Sequence, residues 1–248
     1  MTAIPQARTW RTARTVRATA LCVLAVSALT MLTGCGEEDP DAGTNGVGRL
    51  PAQKIQTRSL AAADAAPAVH LAGTVVTGGV TFTLDMRLKS GGSSGSVTSK
   101  GSSFRLLRVG EQLYLKADAA FWNHGGDTSA AGKLDGKYVK VPQEDPAYKK
   151  FSGFTEKDAL LPALLTLHGK LATVGHHEQA GTRTIRVTGD GGPGGTLDVS
   201  LEGKPYPLRL VRGGGGGTLT FSEWGKDFSA AEPDKSETVD YGGQLPGA

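Results

Sequence analysis

The sequence predicts an α+β fold: a large curved antiparallel sheet with helices packed on its concave face. Three observations predict it. Val80-Thr81-Phe82-Thr83-Leu84-Asp85-Met86-Arg87-Leu88-Lys89 alternates apolar and polar residues without a break, as a half-buried antiparallel strand does. Strand-like segments recur at short intervals with glycine turns between them, the pattern of hairpins in one meandering sheet. A Leu- and Ala-containing insertion of helical character lies between two such runs.

Taken in order, residues 50–66 read as a helix, Ala-rich, with Pro51 suited to the first helical position and Pro67 closing it. Residues 69–76 and 80–89 are strands joined at Gly78-Gly79. The stretch 91–95 (GGSSG) reads as a turn and 96–100 as a polar edge strand. Residues 104–109 and 112–116 meet at Gly110-Glu111. In the insertion, 119–132 is helix or loop, 137–141 a short strand and 145–151 a helical turn. Thr155-Glu156-Lys157-Asp158 is a capping signal ahead of 159–167, whose leucines keep to no single stripe. A helix apolar on all sides must be buried on all sides, and Pro162 kinks or restarts it. Residues 171–179, 183–188, 196–202, 206–212 and 218–224 supply the remaining strands. Their turns absorb most of the 36 glycines, so the glycine excess needs no phosphate-cradling role.

The amino terminus reads as an address. Arg8, Arg11, Arg14 and Arg17 precede an apolar stretch of 15 residues, 18–32. That is short of the roughly 20 residues needed to cross a bilayer and suits a signal-peptide core. Leu32-Thr33-Gly34-Cys35 resembles the bacterial lipobox, in which small residues lie extended in a peptidase and the thiol accepts a diacylglyceryl group. The expectation is a signal peptide over 1–34 and a lipidated Cys35 carrying palmitate-type chains. Those chains anchor the protein to the extracytoplasmic face of the cell membrane. Each buried CH₂ contributes about 0.8 kcal/mol, so two or three chains hold where one does not. Cleavage removes four arginines and no acid, so the formal net charge of +3 becomes −1. Cys22 leaves with the signal, and Cys35 is left without a disulfide partner. The small net charge and the lack of a Lys/Arg run exclude a nucleic-acid track. Residues 35–49 read as a flexible tether, 50–228 as one domain and 229–248 as a loosely attached polar tail.

Several motifs, in order, resemble one family. They are the lipobox, Ala68-Val69-His70-Leu71-Ala72-Gly73-Thr74-Val75, the alternating strand from Val80, Arg108-Val109-Gly110-Glu111-Gln112-Leu113-Tyr114-Leu115-Lys116-Ala117, and Gly136-Lys137-Tyr138-Val139-Lys140-Val141. Together they resemble the LolA-like superfamily, LppX/LprG-type lipoproteins, over most of 50–225. The resemblance implies a half-barrel sheet closed by helices over an apolar cavity, and the binding or carriage of acylated lipid or lipoglycan. It carries no catalytic motif and no cofactor. The candidate cavity residues are Phe82, Leu84, Met86, Leu88, Leu113 and Leu115 on the sheet, and Phe121, Trp122, Leu160, Leu161, Leu164 and Leu165 in the insertion, with 160–167 as a movable wall. A 16-carbon chain costs roughly 12 kcal/mol to remove from a membrane, and the protein must offer comparable dry surface. The alternative is that these side chains fill the core, and that the protein is a non-enzymatic envelope interaction or sensor module of the same fold. No particular protein partner is indicated.

Sharper chemistries fare poorly. Gly91-Gly92-Ser93-Ser94-Gly95 matches G-x-S-x-G, but a nucleophile elbow needs a strand, a sharp turn and a helix, and both flanks read as strands. His176 and His177, with His168 nearby, are adjacent on a strand and face opposite sides, which suits no single metal ion. His70 reads as a surface strand residue and His124 as part of a polar loop. Asp118, Asp127 and Asp135 could surround a glycan or head group, yet caps and turns explain them. Lys149-Lys150 could meet an anionic head group but read as solvated surface, and Trp224 as a seal on the sheet edge. P-loop, C-x-x-C, H-E-x-x-H and S-x-x-K patterns do not occur.

Overall fold

The computed structural model describes residues 39–123 and 128–240, the side chains of 128–130 excepted. Its first half is a meander: β1 (Ala68–Thr77), β2 (Val80–Lys89), β3 (Gly92–Ser99), β4 (Ser102–Val109) and β5 (Gln112–Ala117), each antiparallel to the next. The second half is another: β7 (Leu171–Gln179), β8 (Thr182–Gly189), β9 (Thr196–Ser200), β10 (Pro207–Val211) and β11 (Thr218–Ser222). The two fuse where β1 pairs with β11. Gly73 makes that seam possible. Its φ is 137°, and a Cβ there would lie 2.2 Å from the Thr218 carbonyl oxygen, so only glycine lets the backbones approach.

With β6 (Tyr138–Val141) and β12 (Thr238–Asp240), the sheet has twelve strands in the order β12-β6-β5-β4-β3-β2-β1-β11-β10-β9-β8-β7. It is curved and open, an α+β half-barrel as expected. One face carries Leu71, Leu84, Met86, Leu88, Leu106, Leu113, Leu115, Val187 and Leu197, all buried. On β2 the alternation read from the sequence holds, with Thr83, Asp85 and Arg87 outward.

Helices cover the apolar face: α1 (Ala52–Asp64), α2 (Ala119–Trp122), α3 (Thr128–Leu134), α4 (Pro146–Ser152) and α5 (Lys157–Leu165). In α1 the buried residues Ala52, Ile55, Gln56, Ser59 and Ala63 follow helical spacing and turn one stripe inward. Gln56 Oε1 accepts from the Leu167 amide at 3.0 Å and ties α1 to the chain leaving α5. Pro51 sits at the N-cap rather than in the first turn. Glu156 N-caps α5 without a side-chain bond, and Thr155 Oγ1 donates to Ser152 O instead, so the capping box does not form. Pro162 lies inside α5 without ending it, on the exposed side together with Ala163.

Three further expectations need correction. The GGSSG stretch is not a turn: β3 begins at Gly92 and pairs with β2 and β4, so it is interior rather than an edge. The small residues are there for space, since a Cβ on Gly95 would lie 2.1 Å from Asp85 O. The second correction concerns the segment read as a tether, which is docked from residue 39 onward. The Asn45 amide donates to Leu201 O at 2.8 Å, Asn45 Nδ2 to Ser200 O at 3.0 Å, and Val47 is buried in the core. The third is the tail. Its β12 pairs in parallel with β6, and Lys137 Nζ donates to Ser236 O at 3.0 Å. Leu107 and Tyr114, cross-strand partners on the face away from the main core, are buried nonetheless. The tail covers that face: Ala230 Cβ lies 3.2 Å from where a Gly92 Cβ would stand. Burial, and then the nearby Glu232 charge, push the Tyr114 hydroxyl above the usual tyrosine range.

Candidate functional site

The site grows from two helices that are distant in sequence. The last turns of α1 (Leu60, Ala61, Ala63, Asp64) lie beside α5 (Lys157, Asp158, Leu161, Pro162, Leu165), and an apolar groove of about 270 Å³ runs between them. Small alanines on α1 keep it open, and Leu60, Leu161 and Leu165 give it dry walls. The volume lies just under the range of about 300–1,000 Å³ typical of small-ligand pockets.

Lys157 closes one end. Its side chain is buried, and Nζ donates to Asp64 O at 3.0 Å and pairs with Asp158 Oδ1 at 2.9 Å. An ammonium on the final carbonyls of α1 meets the negative end of the helix dipole, which helps to offset its desolvation. Beyond Lys157 lies a second, polar pocket of about 380 Å³, lined by Lys89, Gly91, Arg108, Thr155, Glu156, Lys157, Asp158 and Ala159. Arg108 bonds Glu156 and, through Nε, Gly110 O at 2.8 Å. Lys89 Nζ donates to Asp227 Oδ1 at 2.9 Å and Phe228 O at 2.7 Å. Hydrogen bonds from Lys89 and the Phe228 amide hold the Asp227 carboxyl below the usual carboxylate range.

Of the candidate cavity residues, Leu161 and Leu165 line the groove. Leu84, Met86, Leu88, Leu113, Leu115, Trp122 and Leu164 are buried in the main core, with Phe82, Phe121 and Leu160 half-buried against it. The aromatic members pack on one another: Phe121 meets Phe104 at 5.4 Å between centroids and Trp122 at 5.0 Å, and Phe82 meets Phe154 at 5.4 Å. Leu60, Ala61 and Ala63 were read only as helix. Arg108 did carry a signal: it follows Phe104 and Leu106 at period two, so β4 presents a charge on the apolar face.

The discounted residues have structural partners. Asp118 Oδ1 caps α2 at the Phe121 amide, 2.9 Å, and Asp135 accepts from Ala119 N at 2.9 Å. His70 lies between Asp85 and Ser222 on the outer face, and His176 meets Asp41 at 3.1 Å. Ser93 is buried within β3 with no hydrogen-bond partner, so no base activates it. Trp224 stacks on Tyr206 at 4.8 Å. Among the described residues, no group of three or more His, Cys, Asp or Glu is arranged to hold a metal, and no helix is long and apolar enough to cross a membrane. Cys35, the signal segment, His124 and Asp127 lie outside the described residues.

An open curved sheet with helices across its apolar face and a groove between two of them defines a half-barrel fold. LprF from Mycobacterium bovis has this fold: the two align with a TM-score of 0.53 at 19% identity, over 73% of this chain and 96% of that one. The lipoprotein LppX from Mycobacterium tuberculosis aligns at 0.46 and 18% identity over 71% and 96%, too distantly to carry an argument. The half-barrel fold that the sequence resemblance implied is borne out by the likeness to LprF. No family model and no curated protein sequence matches the chain.

Proposed function

We propose that this chain is a lipid-anchored envelope lipoprotein that binds or carries an acylated lipid or lipoglycan, and is not an enzyme. Cys35 is the lipidated residue that holds it on the extracytoplasmic face of the membrane. The groove between α1 and α5 carries this reading, because it offers dry leucine and alanine walls that end at charged side chains. An acyl chain suits the first part and its polar end the second. The shared fold with LprF and the lipobox-like Leu32-Thr33-Gly34-Cys35 support it.

Native mass spectrometry on residues 39–248, produced in a lipid-rich bacterial host, tests the proposal. The start at 39 keeps Val47, which belongs to the core. The expected result is a bound mass that solvent extraction identifies as an acylated lipid. A clean unliganded mass from folded, monodisperse protein overturns it. That outcome favours a non-enzymatic interaction or sensor module, a reading supported by the dense packing of Leu84, Met86, Leu88, Leu113 and Leu115 in the core.

A further inference from the structure

The polar pocket and the apolar groove share two residues, Lys157 and Asp158. They adjoin each other across these two side chains. We propose that the polar pocket is the head-group site for a phosphate-bearing lipid whose acyl chain lies in the α1–α5 groove. The inference rests on the lipid-binding reading above and names the class of lipid.

Charge is the first argument. The pocket lining carries three cations (Lys89, Arg108, Lys157) and two carboxylates (Glu156, Asp158), and the third carboxylate, Asp227 on Lys89, lies outside the lining and is 76% exposed. Exposure is the second. The side chains of Lys157, Arg108 and Lys89 are 1%, 14% and 27% exposed, against 40% for Glu156 and 61% for Asp158. The cations are fixed in the walls by Asp64 O, Gly110 O and Phe228 O, whereas the carboxylates reach solvent and can turn away from an arriving anion. An incoming phosphate replaces carboxylate partners that are already half in water, while the backbone bonds of the three cations persist. Such charge-assisted bonds are stronger than neutral ones, and a guanidinium offers phosphate two parallel donors.

The third argument is shape. The pocket is larger than the groove, about 380 against 270 Å³, so it has room for more than a bare carboxylate. The start of α5 has no side-chain cap, and its partial positive charge adds to the same field. Phosphate could arrive free or on a lipid. The adjoining groove favours the lipid, because it buries chain methylenes that the free ion lacks.

The test uses residues 39–248 and three probes: 16-carbon lysophosphatidylglycerol, the neutral monoacylglycerol with the same chain, and inorganic phosphate. Affinity is measured by calorimetry below the micelle concentration. The expected result is at least a tenfold preference for the phosphate-bearing lipid over the neutral one. Lys89→Gln with Arg108→Gln reduces that ratio to about one, and Lys89→Gln alone, at the rim, reduces it in part. Equal binding of the two lipids by the unmodified protein overturns the head-group site and leaves lipid binding standing. A preference that survives both variants in folded protein overturns it too. Saturable binding of inorganic phosphate as tight as that of the lysolipid assigns the pocket to the free ion instead. Binding of neither lipid removes the lipid reading along with this one.

Discussion

Leu161→Ala separates a groove that accepts an acyl chain from a gap that is merely tolerated. Leu161 is buried and forms a groove wall with Leu60 and Leu165. The substitution removes three methylene-sized groups, a loss of about 2.4 kcal/mol at about 0.8 per group. The further cavity penalty of about 24 cal/mol per Å³ stays small, because the space opens into an existing groove rather than a sealed void. Urea unfolding without lipid should therefore show a loss of about 2.5–3 kcal/mol. A bound acyl chain refills part of the space and returns about 0.8 kcal/mol for each methylene it seats. With saturating 16-carbon lysolipid, the deficit should fall by about 1–2 kcal/mol. Val187→Ala, in the core on β8 and outside the groove lining, is the control and should lose the same amount with and without lipid. A Leu161→Ala deficit that lipid leaves unchanged, as in the control, refutes the groove as the chain site.

Other outcomes follow from the same geometry. Leu164→Asp puts a carboxylate among core residues rather than in the groove, and should cost about 4 kcal/mol or more, seen as loss of folded protein on expression. Gly95→Ala should cost about 3 kcal/mol in urea unfolding, since the methyl meets the Asp85 carbonyl and Met86 Cα of the neighbouring strand; a change under about 0.5 kcal/mol contradicts the close approach. Tyr114 should ionise later than free tyrosine in an ultraviolet pH titration. A raised tyrosine pKa means stability held in full below pH 10 and lost as pH climbs from there through the folded value, and deletion of 229–248 should abolish the lag. Cys35→Ala should stop incorporation of labelled palmitate and release the chain from the membrane fraction.

How much was legible depended on distance along the chain. The period-two alternation from Val80 to Lys89 names strand, face and inward residues at once, because successive side chains leave a strand on opposite sides. The Gly-marked hairpins were legible for the same reason, each turn being a local event. GGSSG misled because small residues signal turns, whereas here they permit β3 to lie between β2 and β4. The docked 39–49 segment and the tail were misread because polar composition says nothing about a remote partner. Asn45 finds Leu201, and residues 238–240 find β6, across long stretches of chain.

By itself, then, the sequence determined the sheet and its inward face, both written in local periodicity and spacing. Only the tertiary structure decided the site. Leu60, Ala61 and Ala63 meet Leu161 and Leu165 across about a hundred intervening residues, and Lys157 caps α1 from α5. Apolar pattern says that a surface will be buried. Which surface it meets, and whether a gap is left between them, follows from how the helices lie across the curved sheet, and no local stretch of chain encodes that.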